Sequence, residues 1–247
     1  MSIDIQILGV KVDPTSYTAA TSRIVEWAKI GGSRSVCIAN VHVIMEAHDH
    51  ADFKEVVNGA DLTTPDGMPL VWTLQRLGYP DQERVYGPEL TLRLIEASAH
   101  EDIPVGLYGG SPETLQRLID VFKQRYPSLR IGYSFSPPFR ALTAEEDKAI
   151  VQQINASGAR ILFVGLGCPK QERWMAEHKG KIQAVMLGVG AAFDFIAGVK
   201  KQAPRWMQKN GLEWLYRFSQ EPRRLWRRYL VYNPRFVGLV LLQLISK

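Results

Sequence analysis

One carboxylate in this chain is placed as a lone acid or base would be. Asp66 lies in Thr64-Pro-Asp-Gly-Met68, where proline and glycine turn the chain and leave the side chain at a loop. Set against a hydroxyl, such a carboxylate takes the proton as the oxygen attacks; a solvated turn aspartate would look the same in sequence. Asn40, just past an apolar run, could hydrogen-bond sugar hydroxyls or cap the next helix. Arg84 could hold a phosphate or pair with a surface acid near Glu83, and Gln171 could read a polar ligand or lie idle in the first turn of a helix. Three glycine turns, Gly109-Gly110, Gly165-x-Gly167 and Gly188-x-Gly190, could present backbone N–H groups to a phosphate or merely permit tight strand-to-helix turns.

Other chemistries are poorly served. The dinucleotide pattern fails, because its third glycine is Lys170 after the second turn and Phe193 after the third. The five histidines match no metal-binding spacing; His42, His48 and His50 cluster with Glu46 and Asp49, but without an HExxH pattern. There is no DxD pair, no Gly-x-Ser-x-Gly and no Walker sequence. No metal and no cofactor are expected.

The elements that position these residues alternate in an α/β pattern across 1–198. Val36–Ala39 reads as a buried strand followed by a helix from Val41 to His48. Val105–Tyr108 is a second strand, ending in Gly109-Gly110. Ser111 and Pro112 then make a strong helix start, for a helix to about Arg125. Arg160–Val164 and Ala184–Leu187 are further strands, each running into a glycine turn. Strands ending in glycine before helices describe an open sheet with its site at the carboxyl ends.

The composition suits a globular protein, with 46% hydrophobic and 22% charged residues. Cys37 and Cys168 are the two cysteines and form no CxxC, which fits a reducing compartment. Met1-Ser-Ile-Asp-Ile-Gln6 has neither the basic nor the apolar region of a secretion signal, so a cytoplasmic location is expected. The net charge of +5 is unevenly spread. Residues 199–247 hold eleven Lys and Arg against Glu213 and Glu221, a net of +9, while the preceding 198 carry −4. A basic tail on a mildly acidic body points to a polyanionic partner: lipid headgroups, a diphosphate or nucleic acid. In that tail Gly211 to Ser219 reads as helical, Pro222 can open a second helix, and Pro234 ends that one or begins a third. The apolar stretch Phe236–Ile245 is ten residues long, about half of the ~20 a bilayer span needs. It can lie in the interface and cannot cross.

Together these segments resemble the WecG/TagA/CpsF family of bacterial glycosyltransferases (glycosyltransferase family 26). The matching stretches are Asn40, Ala60–Gly67, Arg84–Leu90, Leu107–Gly110, Val164-Gly-Leu-Gly-Cys-Pro-Lys-Gln-Glu172, Gly188–Asp194, Ala203–Trp206 and Gly211-Leu-Glu-Trp-Leu-Tyr-Arg217, continuing to Glu221–Arg224. They cover nearly the whole chain. The resemblance implies a Rossmann-like open sheet with helices on both faces (the GT-E type) over 1–198 and a helical, basic, membrane-associating appendage over 199–247. It implies metal-independent, inverting transfer from a UDP-sugar to an undecaprenyl-diphosphate-linked sugar at the cytoplasmic face of the inner membrane, in cell-envelope or exopolysaccharide assembly. N-acetylmannosamine, its uronic acid and glucose are all candidate sugars. Asp66 matches the family's proposed base, and Asn40, Arg84 and Gln171 match polar pocket positions. Arg217, Arg224 and Arg227 match the appendage's arginines. Members often have threonine where this chain has Ile38, and they suggest self-association in solution.

The residue chemistry agrees. A single inverting displacement needs one base, and two charges building on a departing diphosphate need arginines and helix N-termini if no metal is present. Gly109, Gly110, Gly167 and Gly190 join the expected binding residues on that ground. A nucleic-acid-binding protein is the competing class, but nucleic acid gives Leu239, Leu241 and Leu242 nothing to bury against. An inactive membrane scaffold of the same fold is the other alternative, weakened by an intact Asp66 and Gln171.

Overall fold

The computed structural model describes residues 5–246. Residues 1–4, part of the stretch read for a secretion signal, and Lys247, the last residue of the basic tail, lie outside the described residues. The described chain opens with a small antiparallel hairpin, β1 (Gln6–Ile7) and β2 (Val10–Lys11). There follow α1 (Tyr17–Ile30), β3 (Arg34–Ala39), α2 (Val41–Asp49), α3 (Ala51–Asn58), β4 (Leu62–Pro65), α4 (Met68–Arg76) and α5 (Gly87–His100). Next come β5 (Val105–Gly109), α6 (Pro112–Arg125), β6 (Ile131–Phe135), α7 (Ala144–Ala156), β7 (Ile161–Gly165), α8 (Lys170–His178), β8 (Val185–Gly188) and the short α9 (Ala192–Ile196).

Six of the strands form one parallel sheet in the order β4-β3-β8-β7-β5-β6. Strand side chains alternate between faces, and both faces here are apolar. Val36, Ile38, Ile161, Phe163, Val185 and Leu187 face α1, α5, α6 and α9. Their neighbours Cys37, Ala39, Leu162, Val164 and Met186 face α2, α3, α7 and α8. This is the Rossmann-like α/β architecture expected from the sequence. Two of its strands carry weak sequence signals. β4 is Leu-Thr-Thr-Pro, polar in composition although Thr63 and Thr64 are fully buried. It tolerates Pro65 because it lies at the sheet edge. β6 occupies the opposite edge.

The tail comprises α10 (Arg205–Lys209), α11 (Glu213–Gln220), α12 (Pro222–Trp226), a π-helical segment (Arg227–Tyr232) and α13 (Asn233–Ile245). Glu221 leaves helical geometry (φ −135°, ψ 60°), so the chain bends before Pro222. Beyond that bend the backbone stays helical: Trp226, Arg227, Tyr232 and Asn233 all hold αR angles. Pro234 begins α13 rather than ending a helix. It brings no amide hydrogen to the preceding turn, and that turn is the π segment.

The apolar stretch is divided between two environments. Tyr232, Phe236 and Val240 are buried in the core formed by the hairpin, α2, α3 and α4. Val237, Leu241, Leu242 and Ile245 are exposed, Leu242 at 66% and Ile245 at 81%. The one polar residue in the stretch, Gln243, fastens it to the N-terminal hairpin. Its Oε1 accepts from the Leu8 amide (2.8 Å) and its Nε2 donates to the Gln6 carbonyl (2.8 Å). Among the described residues no helix is long and apolar enough to cross a membrane.

Candidate active site

The carboxyl ends of β4, β3, β8 and β7 open into one cleft. Its larger chamber, about 700 Å³, runs beneath the glycine turns after β7 and β8. That falls within the roughly 300–1,000 Å³ of small-molecule sites. A smaller chamber of about 80 Å³ continues toward α4 and α11. Asn40, His42, Asp66, Arg217 and Arg228 line both.

Asp66 follows the last residue of β4, and its amide donates to the Ala39 carbonyl (2.7 Å), which ties the turn to the end of β3. Gly67 packs beside Asn40 at this turn, where a Cβ would make an ordinary 3.4 Å contact with the Asn40 Cα. The carboxylate is mostly buried, not the solvated turn aspartate that sequence also permits. Arg84 holds it: Nε donates to the Asp66 carbonyl, and Nη2 to Oδ1 at 3.2 Å. Oδ2 has no hydrogen-bond partner among the described residues. On its far side Arg84 meets Glu213 of α11, with Nη1 to Oε2 at 2.8 Å, and its plane lies over the Tyr86 ring at 4.1 Å. Burial raises the proton affinity of Asp66; Arg84 opposes the rise and Glu213 adds to it. Arg84 is therefore committed to two carboxylates. It supports the base candidate through these pairings and lines the smaller chamber.

Asn40 caps α2. Its Oδ1 accepts from the His42 amide (3.1 Å) and the Val43 amide (3.4 Å), which leaves the side-chain NH2 facing the cleft. Gln171 is buried and both of its polar atoms are engaged: Oε1 accepts from the Gly167 amide (3.0 Å) and Nε2 donates one hydrogen to Glu172 Oε1 (2.8 Å). It braces the turn after β7 instead of lying idle. Gly167 (φ 80°) and Gly190 (φ 52°) both adopt left-handed backbone and line the larger chamber. Gly109 and Gly110 stand outside the cleft lining. A Cβ on Gly109 would lie 2.6 Å from the Gly165 backbone, and one on Gly110 would meet Phe193 at 3.5 Å. These two glycines serve strand and helix packing.

Arg217, Arg224 and Arg227, expected from both sides of the bend, all line the larger chamber. Arg217 lies over the Phe195 ring at 5.3 Å, with Glu213 3.9 Å away. Arg224 pairs with Glu221 at the mouth, and Arg227 is exposed on the rim. The sequence reading missed their neighbour Arg228, which reaches both chambers and has no acid partner within ion-pair distance among the described residues. Burial lowers its proton affinity below that of an ordinary guanidinium. The Arg227-Arg228 pair was visible in sequence, but which of the two faces inward depends on the π segment. Two more residues were missed. His42, half-buried and beside Arg228, is driven down to about 4 by burial first and by that charge second, so it is neutral near pH 7. Glu172 is buried with Oε2 unpartnered, and burial pushes its carboxyl above the usual range. Among the described residues no three His, Cys, Asp or Glu side chains are grouped to hold a metal ion.

A doubly covered parallel sheet, a carboxylate at its carboxyl edge and arginines converging from helices of the tail suit a group-transfer enzyme. The description "Glycosyl transferase WecG/TagA/CpsF family" matches residues 5–247. The chain belongs to that family and is a glycosyltransferase. It is 29% identical over 226 residues to a Staphylococcus aureus (strain MW2) protein named N-acetylglucosaminyldiphosphoundecaprenol N-acetyl-beta-D-mannosaminyltransferase, covering 90% of this chain and 87% of that one. A protein of the same name from Bacillus spizizenii is 31% identical over 208 residues, covering 83% of this chain and 78% of its own length.

Proposed function

We propose that the protein transfers a sugar from a UDP donor to a sugar carried on undecaprenyl diphosphate, with inversion and with Asp66 as the base. The observation that carries this reading is the Asp66 carboxylate at the junction of two chambers, with Oδ1 held by Arg84 and Oδ2 open. An acceptor hydroxyl gives its proton to Oδ2 while its oxygen forms the new bond to the anomeric carbon. The bond to the UDP oxygen breaks on the opposite face, and its electron pair leaves with the diphosphate. In this reading Arg217 and Arg228, which line both chambers, receive that charge, and Arg224 and Arg227 extend the positive field to the mouth. Four guanidinium groups make a divalent cation unnecessary.

The names of the relatives make N-acetylmannosamine the first donor sugar to test and an N-acetylglucosaminyl diphospholipid the first acceptor. The appendage brings the cleft to the cytoplasmic face of the inner membrane, with Val237, Leu241, Leu242 and Ile245 meeting lipid. UDP-N-acetylmannosamine, its uronic acid counterpart and UDP-glucose are each incubated with the lipid acceptor, with and without excess EDTA. Released UDP and the anomeric configuration of the product are then measured. Asp66→Asn should lower turnover about 10²- to 10⁴-fold with UDP binding little changed. Near-wild-type turnover in that variant, or activity that EDTA abolishes and magnesium or manganese restores, would refute the corresponding part.

A further inference from the structure

We propose that Glu213 is a positioning residue for Asp66, acting through Arg84, so that Asp66 has its full strength as a base only while the appendage is seated. The proposal rests on the reading of Asp66 as the base. A buried carboxylate held by one arginine alone is a poor proton acceptor, because its partner favours the charged form and opposes protonation. Glu213 changes that balance from the other side of the guanidinium. Its Oε2 lies 2.8 Å from Arg84 Nη1, and its Oε1 accepts from the Tyr86 hydroxyl at 3.2 Å. Arg84 thus bridges two carboxylates that come from the body and from the appendage.

The seat for Glu213 is built by close packing. Gly211 has φ 70°, and a Cβ there would lie 3.0 Å from the Trp72 ring and 3.3 Å from the Met68 Cβ. The backbone before α11 therefore lies against α4, and Glu213 is 7% exposed. The titratable groups around Asp66 are His42 from α2, neutral near pH 7, Arg84 and Tyr86 from the loop before α5, Tyr17 from α1, Glu213 and Arg217 from α11, and Arg228 from the π segment. Burial drives Tyr17 up to about 12 and Tyr86 higher, so both are neutral near pH 7. Glu213 is then the one negative charge among these groups that offsets the three guanidiniums for Asp66.

A latch that only holds α11 in place would need shape and an acceptor for Arg84, which Glu213→Gln keeps with its amide oxygen while its NH2 donates to the Tyr86 oxygen. A charge role would not survive that change. The Asp66 side-chain carbon is followed by ¹³C NMR titration, assigned by its loss in Asp66→Asn, and turnover is measured against pH in the same proteins. In Glu213→Gln the Asp66 midpoint should fall, the acid limb of turnover should move to lower pH, and the plateau should drop about tenfold as the base weakens. Glu213→Asp draws the carboxylate back by one methylene; its intermediate midpoint keeps the test open should the glutamine variant fail to fold. An unchanged midpoint and acid limb in a folded Glu213→Gln protein overturns the proposal. Turnover by Asp66→Asn would overturn the base itself, while the midpoint comparison would still judge the coupling.

Discussion

Replacing Arg228 with methionine should change stability and ligand affinity in opposite directions. The guanidinium is partly withdrawn from water, Arg217 is a like charge nearby, and no acid lies within ion-pair distance among the described residues. A fully buried, uncompensated ion costs several kcal/mol. Arg228 retains some solvent through the cleft and some attraction to Asp66, so about 1–2 kcal/mol remains to be recovered. Methionine fills similar length without charge. At roughly 2–4 °C per kcal/mol for a chain of this size, Tm should rise by about 2–8 °C in the empty protein. With a diphosphate bound the same group makes charge-assisted hydrogen bonds of about 1.5–3 kcal/mol. Their loss weakens UDP binding about 10- to 150-fold. Thermal melts with and without UDP, together with calorimetric titration, read both quantities, and Arg228→Lys should fall between wild type and methionine on each. A lower Tm with an unchanged UDP Kd would refute the assignment and make Arg228 a structural residue.

Three further outcomes follow from packing and burial. Gly165→Ala should lower stability by about 1–3 kcal/mol in a denaturant titration, because its Cβ would lie 2.5 Å from the Phe193 ring. Glu172→Gln should be stabilising at neutral pH, since burial holds the folded-state carboxyl above its ordinary 4.5. The wild type loses stability as pH rises from about 4.5 through that raised value, so the Tm gap between the two proteins should be small in acid and widen upward. Leu241→Ser, Leu242→Ser and Ile245→Ser together should cut binding to anionic vesicles at high salt, where only apolar burial persists, and leave the melt near wild type. Deleting 236–247 should instead destabilise the fold, because Phe236 and Val240 belong to its core.

The sequence carried the central strands because each is a short apolar run, the signature of a strand covered on both faces, and three of the four end in a glycine turn. The edge strands did not announce themselves: Leu62–Pro65 is buried through its neighbours rather than through its own hydrophobicity. The site was legible to the extent that chemistry stays local. Asp66, Asn40 and Gln171 lie beside strand ends, and Arg217, Arg224 and Arg227 flank a bend that Pro222 signals. What sequence could not assign was partnership at long range. Sequence offers Arg84 a phosphate or a surface acid near Glu83, and gives no sign of Glu213, 129 positions later, which stands beside it. Arg228 and Arg227 are adjacent and chemically identical; both line the larger chamber, and within the π turn only Arg228 reaches the smaller one as well.

The Gln243 contacts with Leu8 and Gln6 close the chain on itself across separations of 235 and 237 residues. As synthesis proceeds from the N-terminus, the hairpin, α2, α3 and α4 assemble long before the segment that covers them exists. Until Phe236 and Val240 leave the ribosome, the surface they will occupy beside Met45, Phe53, Leu70 and Leu74 has no lid. The equilibrium cost of so distant a closure is modest, since loop entropy grows only with the logarithm of length. The kinetic cost is larger, because contacts of this order form late. The helix α13 thus seals the first part of the fold, and a nascent chain halted before that helix emerges presents an open apolar face to chaperones.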